Sequence, residues 1–176
     1  MKAWTMILAA IVALTALSLA SPLGAAPAAG KMPLRIGTLV HGNLFGSGTA
    51  SGKFTLELSA SRDAGKLTFK YTYGSARKTS AGQTFRPGER TETFRGKYGT
   101  LVIHSVGRQF PVGVESPTDP DGDSEVWTGT WSIVSGTGRY AGLKGGGGVV
   151  GIILFSAGHD VSLDYSWRYE GFVTRS

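Results

Sequence analysis

Lys66-Leu67-Thr68-Phe69-Lys70-Tyr71-Thr72-Tyr73 alternates strictly, with Leu67, Phe69, Tyr71 and Tyr73 on one side and Lys66, Thr68, Lys70 and Thr72 on the other. Successive side chains of an extended strand point to opposite faces, so this stretch is a strand with one apolar face and one face in water. Just before it, Phe54, Leu56 and Leu58 alternate with Lys53, Thr55, Glu57 and Ser59. The polar stretch Ala60-Ser61-Arg62-Asp63-Ala64-Gly65 reads as the turn between them, which makes the pair a hairpin.

The same period of two runs through the rest of the chain. Val161, Leu163, Tyr165, Trp167 and Tyr169 alternate with Ser162, Asp164, Ser166, Arg168 and Glu170. Trp127, Trp131 and Ile133 share a face with Gly129. Leu101 and Ile103 alternate with Val102 and His104, a strand expected to be partly covered on both faces. Residues 149 to 155 are almost continuously apolar, which predicts a strand buried on both sides or one at a subunit contact. Residues 36 to 44 and 83 to 95 complete the set, giving about eight strands with turn signals between them. No amphipathic helix longer than two turns is evident, and 27 glycines in 176 residues suit turns, bulges and barrel corners better than helices. The fold class is therefore all-β. A single eight-stranded antiparallel barrel hides every strand edge; a β-sandwich is the alternative.

The most distinctive stretch follows Trp127 and Trp131: Ser135-Gly136-Thr137-Gly138-Arg139-Tyr140-Ala141-Gly142-Leu143-Lys144-Gly145-Gly146-Gly147-Gly148. Physically it is a strand, a tight turn and a second strand that opens almost without side chains. Gly136 and Gly138 are expected to supply positive φ around Thr137, and Tyr140 and Leu143 to pack back onto the barrel end. Over about 22 residues this resembles the glycine-threonine-glycine signature of the allene oxide cyclase and dirigent superfamily and its bacterial secreted relatives, with Gly136, Thr137, Gly138, Tyr140 and Gly145 matching. The resemblance implies a calycin-like, eight-stranded barrel with an apolar axial pocket, trimeric in the plant families. The motif is scaffold there, so it carries fold rather than activity. The family's catalytic acidic residues find no match in this chain.

Lys2 followed by the apolar run Met6 to Leu19 and by Ser18-Leu19-Ala20 has the form of an export signal cleaved before Ser21. Ala26-Pro27-Ala28 offers a later cleavage point. The run is about 14 residues, short of the roughly 20 that span a bilayer. Residues 21 to 33, rich in Ala, Pro and Gly, read as a disordered lead-in to a domain over 34 to 176. No cysteine is present, which excludes a lipid anchor, thiol catalysis and Cys-ligated zinc and fits a bacterial secreted or periplasmic protein. Net charge is +6, and residues 62 to 108 hold ten Lys/Arg against three Asp/Glu. Such a surface suits an anionic envelope polymer. Export argues against nucleic acid as a partner.

No catalytic grouping is complete. Asp119-Pro120-Asp121-Gly122-Asp123 has carboxylates at alternate positions, but Ser124 and Thr130 stand where a calcium loop needs Gly and Glu, so it reads as a polar hairpin loop. His41, His104 and His159 fall on separate segments. No metal or cofactor is expected, and no Ser-centred elbow or phosphate loop occurs. Tyr71, Tyr73, Trp127, Trp131 and Trp167 are the candidate ligand-binding set, able to line an apolar cavity inside a small barrel or simply to fill it. Three roles follow. The leading one is a non-catalytic barrel that binds an apolar small molecule or envelope component. The others are an isomerase or cyclase with an inward Glu or Asp, and an interaction protein that attaches to anionic surfaces.

Overall fold

The computed structural model describes residues 30–42, 47–112, 124–155 and 163–176. Nine strands run in chain order: β1 (Met32–Gly42), β2 (Ser47–Leu58), β3 (Ser61–Tyr73), β4 (Arg77–Lys78), β5 (Thr84–Gly96), β6 (Gly99–Val112), β7 (Ser124–Gly136), β8 (Leu143–Phe155) and β9 (Leu163–Arg175). The order β3-β2-β1-β9-β8-β7-β6-β5 is antiparallel throughout and closes through a β3–β5 pairing, giving an eight-stranded barrel. The two-residue β4 lies outside the ring, against the start of β5. Closure leaves no ring strand with an unpaired edge, so the all-β barrel stands and the sandwich does not.

The strands tilt steeply against the barrel axis. One hydrogen-bonded row runs from Leu34 through Gly171, Gly147, Trp131, Ser105, Arg90 and Tyr71 to Gly48. It starts near the first residue of β1 and ends near the first residue of β2, at the opposite end of the barrel. Such stagger is what closes a small barrel with an interior just wide enough for side chains.

Tilt and alternation together sort the interior into two halves. The end that carries the β2–β3, β5–β6 and β7–β8 turns is aliphatic. Leu34, Ile36, Leu56, Leu58, Leu67, Leu101, Ile103, Leu143 and Val173 are all buried there, together with Phe54 and Phe94. The other half is aromatic and polar, holding Thr38, Phe69, Tyr71, Arg90, Glu92, Ser105, Gln109, Trp127, Tyr165 and Trp167. Glycines make room for these rings. A Cβ on Gly151 would sit 1.9 Å from the Trp167 ring, one on Gly107 2.8 Å from Trp127, and one on Gly88 2.6 Å from Tyr73. The glycines of this barrel therefore receive large rings from facing strands, as well as shaping its corners.

Several expectations change in detail. The β2–β3 turn is only Ser59 and Ala60, so residues 61 to 65 are strand rather than turn. The strict register Leu58↔Ser61 through Lys53↔Lys66 extends the ladder to its limit. β1 begins at Met32, two residues inside the stretch read as a lead-in. Residues 149 to 153 alternate as other strands do, with Val149 and Ile153 buried and Val150 49% exposed. The expected burial on both faces is thus not met within this chain. The residues read as an export signal, the Asp119–Asp123 stretch, His159 and the His41 side chain lie outside the described residues. Among the described residues no helix is long and apolar enough to cross a membrane.

Candidate functional site

The glycine-threonine-glycine turn closes the aliphatic end, and its chemistry centres on Asp63. The Asp63 carboxylate accepts hydrogen bonds from Ala64 N (2.8 Å), Lys97 N (3.0 Å), Tyr98 N (3.3 Å) and the Tyr140 hydroxyl (2.6 Å). One side chain thereby ties β3, the β5–β6 turn and the 3₁₀ turn Gly138–Tyr140 together. Burial raises the Asp63 pKa, but these four donors, Tyr140 foremost, outweigh it and hold the group below its ordinary value. Burial and the bond to Asp63 push Tyr140 up in turn. Thr137 N donates to Thr100 O, Thr100 N donates to Thr137 Oγ1, and Arg139 N donates to Tyr98 O. Only Gly138 of the expected pair has positive φ, at +56°; Thr137 itself is extended. Gly136 is glycine for a different reason: a Cβ there would lie 2.1 Å from the Tyr140 carbonyl oxygen. Gly145, at φ +149°, lets β8 approach Phe172 O. This end is a structural lock.

The other half of the interior is different in kind. Arg90 on β5 is fully buried, and its guanidinium lies 4.3 Å above the Trp127 ring and 4.5 Å above the Trp167 ring. A desolvated cation between two indoles gains on the order of 2 kcal/mol from each face. Arg90 Nε sits 3.4 Å from Glu92 Oε1. Glu92 also accepts hydrogen bonds from Tyr169 OH (2.5 Å, to Oε1) and Ser105 Oγ (2.6 Å, to Oε2). Burial first, and Glu92 second, lift the Tyr169 pKa well above the ordinary tyrosine value. Tyr169 is thus a permanent donor that holds the Glu92 carboxylate in place.

Glu92 is served by its neighbours, and Arg90 is not. Arg90 makes no hydrogen bond: Nε, Nη1 and Nη2 are all buried without one. Tyr73 OH, Trp127 Nε1, Trp167 Nε1 and Gln109 Oε1 are in the same condition. Arg90 touches Trp127, whose ring meets Tyr73 at 5.8 Å, and Gln109 is the register partner of Trp127, so the set is contiguous. Gln109 Nε2 donates to Glu125 near the barrel end. Tyr73 is pushed up to about 12, chiefly by burial, and keeps its proton. Arg90 thus has a charge partner in Glu92 but no hydrogen bond, and natural interiors seldom leave buried donors without one. Here several such groups lie together in one connected region.

All five aromatic residues named from the sequence face the interior, but they do not act as one wall. Tyr71, Tyr73, Trp127 and Trp167 surround or adjoin Arg90, with ring contacts of 5.3 to 5.8 Å that also take in Phe69. Trp131 stands apart: its Nε1 donates to Gly148 O at 2.9 Å, so it is held by the glycine run of β8 as part of the frame. Arg90, Glu92, Ser105, Gln109 and Asp63 escaped the sequence reading. His104 lies on β6 with Nε2 3.9 Å from Glu89, and among the described residues no group of His, Asp and Glu could hold a metal ion.

On the outer wall, Lys53, Lys66 and Arg95 stand side by side in register across β2, β3 and β5. All three are exposed, and among the described residues none forms an ion pair. By contrast, Arg62 pairs with Glu57 and Arg168 with Glu170, each at 2.9 Å. Lys53 and Lys66 border an open depression of about 910 Å³ that Arg35 and Arg168 also line. No known protein family, curated protein or solved structure matches this chain.

Proposed function

We propose that this is an exported, non-catalytic barrel that binds a small, largely apolar molecule in the aromatic half of its interior. The observation that carries the reading is Arg90, buried against the Trp127 and Trp167 rings with no hydrogen-bond partner, in a region where the Tyr73 hydroxyl, Gln109 Oε1 and the two indole N–H groups also lack one. Apolar walls with a few convergent polar groups are the usual makeup of a small-molecule site. Entry would be from the end opposite the Asp63 lock, where Tyr73, Gln109 and Trp127 lie near strand ends. The interior aromatics are closely packed, so binding requires them to shift, and Trp127 and Trp167 report that shift directly. A screen of lipids and aromatic metabolites should give a saturable change in Trp fluorescence together with a rise in melting temperature. A screen with no saturable binder would count against the reading.

Glu92 is the inward carboxylate that an isomerase would need. Its oxygens are already taken up by Tyr169, Ser105 and the Arg90 ion pair, so it presents no free base to a substrate. Binding without turnover is the better fit.

The row Lys53, Lys66, Arg95 supports a second reading, attachment to an anionic polymer. Like charges directly opposite one another on a sheet destabilise it, so a row of three without an acid suits an external anion. Retention on a heparin-type polyanion resin should fall steeply between about 0.05 and 0.3 M salt and drop further in a Lys53→Gln/Lys66→Gln variant. Retention equal to that of a neutral protein would remove this reading and leave the interior site untouched.

A further inference from the structure

We infer that the molecule bound in the interior carries a single carboxylate, which docks on Nη1 and Nη2 of Arg90. This rests on the interior-binding reading and adds the chemistry of the ligand. The inference comes from a count of donors against acceptors. Among the buried groups without a hydrogen bond, Arg90 Nη1 and Nη2, Trp127 Nε1 and Trp167 Nε1 can only donate, Gln109 Oε1 can only accept, and the Tyr73 hydroxyl can do either, so donors are in surplus. A sugar or an alcohol brings donors of its own and leaves the surplus standing. An oxyanion brings acceptors only and removes it.

Charge then selects among oxyanions. The Arg90 Nε edge faces Glu92, so one positive charge already answers one negative charge, and Glu125 stands nearby on Gln109. A phosphate monoester would add up to two further negative charges to a buried region with one cation. A carboxylate adds one. It is also planar and forked, matching the free Nη1/Nη2 edge of a guanidinium. The guanidinium carbon lies 4.3 Å from the Trp127 ring centroid and 4.5 Å from that of Trp167, contacts that hold the group in place. Tyr73, at the end of β3, is placed to add a hydroxyl donor beside it. Phe69 and Tyr71 supply apolar surface for the body of the acid.

The test is titration of the purified protein with dodecanoate and 2-naphthylacetate, their methyl esters, and dodecyl phosphate, followed by Trp fluorescence and calorimetry. The acids should bind at least about tenfold more tightly than their esters, the worth of a charge-assisted hydrogen-bonded pair. Tyr73→Phe deletes a buried hydroxyl without a partner, so the variant should be as stable as the parent. It should weaken the acids about fivefold or more and leave the esters unchanged. Arg90→Met should abolish the preference for acids; if that variant does not fold, Tyr73→Phe decides. Esters binding as tightly as acids, or dodecyl phosphate binding more tightly than dodecanoate, would overturn the carboxylate while leaving an interior site in place. Failure of all five probes and of the wider screen would instead remove the interior site itself.

Discussion

Arg90→Met should lower the unfolding free energy by about 3–5 kcal/mol, the range for breaking a buried ion pair from one side. The substitution keeps an unbranched apolar chain between Trp127 and Trp167 but strands the Glu92 carboxylate, which is 1% exposed, without its cation. The double variant Arg90→Met/Glu92→Gln should recover most of that loss. It removes both charges and leaves an amide oxygen to accept from Tyr169 or Ser105. Chemical denaturation of the single and double variants measures both quantities. A single variant as stable as the parent would show that Arg90 offsets no buried charge, and the electrostatic account of the core would fall. The comparison matters for function because an ion pair replaceable by neutral residues is poor value as a scaffold.

Asp63→Ala should cost about as much, roughly 3–5 kcal/mol, by stranding the four donors that converge on it. Asp63→Asn should fall between, since the amide oxygen can serve two of them. The pH dependence follows from the lowered pKa. Asp63 titrates below its ordinary 3.8 in the folded chain, so its contribution is complete above that value. It is lost as pH falls through the depressed folded value. The charged groups lining this end besides Tyr140 and Tyr98 are Arg62, Lys97, Arg139 and Glu57, which pairs with Arg62 at 2.9 Å; all four are common to the parent and Asp63→Asn, so the comparison isolates Asp63. The parent should therefore lose stability in acid more steeply than Asp63→Asn. Parallel acid limbs for the two proteins would mean that Asp63 is not the lock.

The frame was readable in the sequence because a half-buried strand writes its burial as a period of two. Leu67, Phe69 and Tyr71 fall inside as their spacing predicts, as do Tyr165, Trp167 and Tyr169. The polar core was not readable for the same reason. In Glu89-Arg90-Thr91-Glu92-Thr93 both faces are polar, so alternation cannot say which face is inside. The one local signal was parity: Phe94 must be buried, which puts Glu92 and Arg90 on the inner face. Asp63 was hidden by its setting, because a polar run between two apolar strands looks like a turn until register shows the ladder continuing to Ser61. The turn motif was recognisable as scaffold, but the reason for Gly136 was not. It lies in a carbonyl that approaches from four residues further on, a contact that only the folded chain brings about. The five aromatic residues lie in or against the core, among polar groups that alternation alone did not reveal.

The most direct test of the interior site is a crystal structure of the protein grown with dodecanoate. The account predicts the carboxylate oxygens within hydrogen-bond distance of Arg90 Nη1 and Nη2, and the alkyl chain against Phe69 and Tyr71. Dodecanoate seated only on the outer wall, with Arg90 still flanked by Trp127 and Trp167 and meeting no ligand, would contradict it.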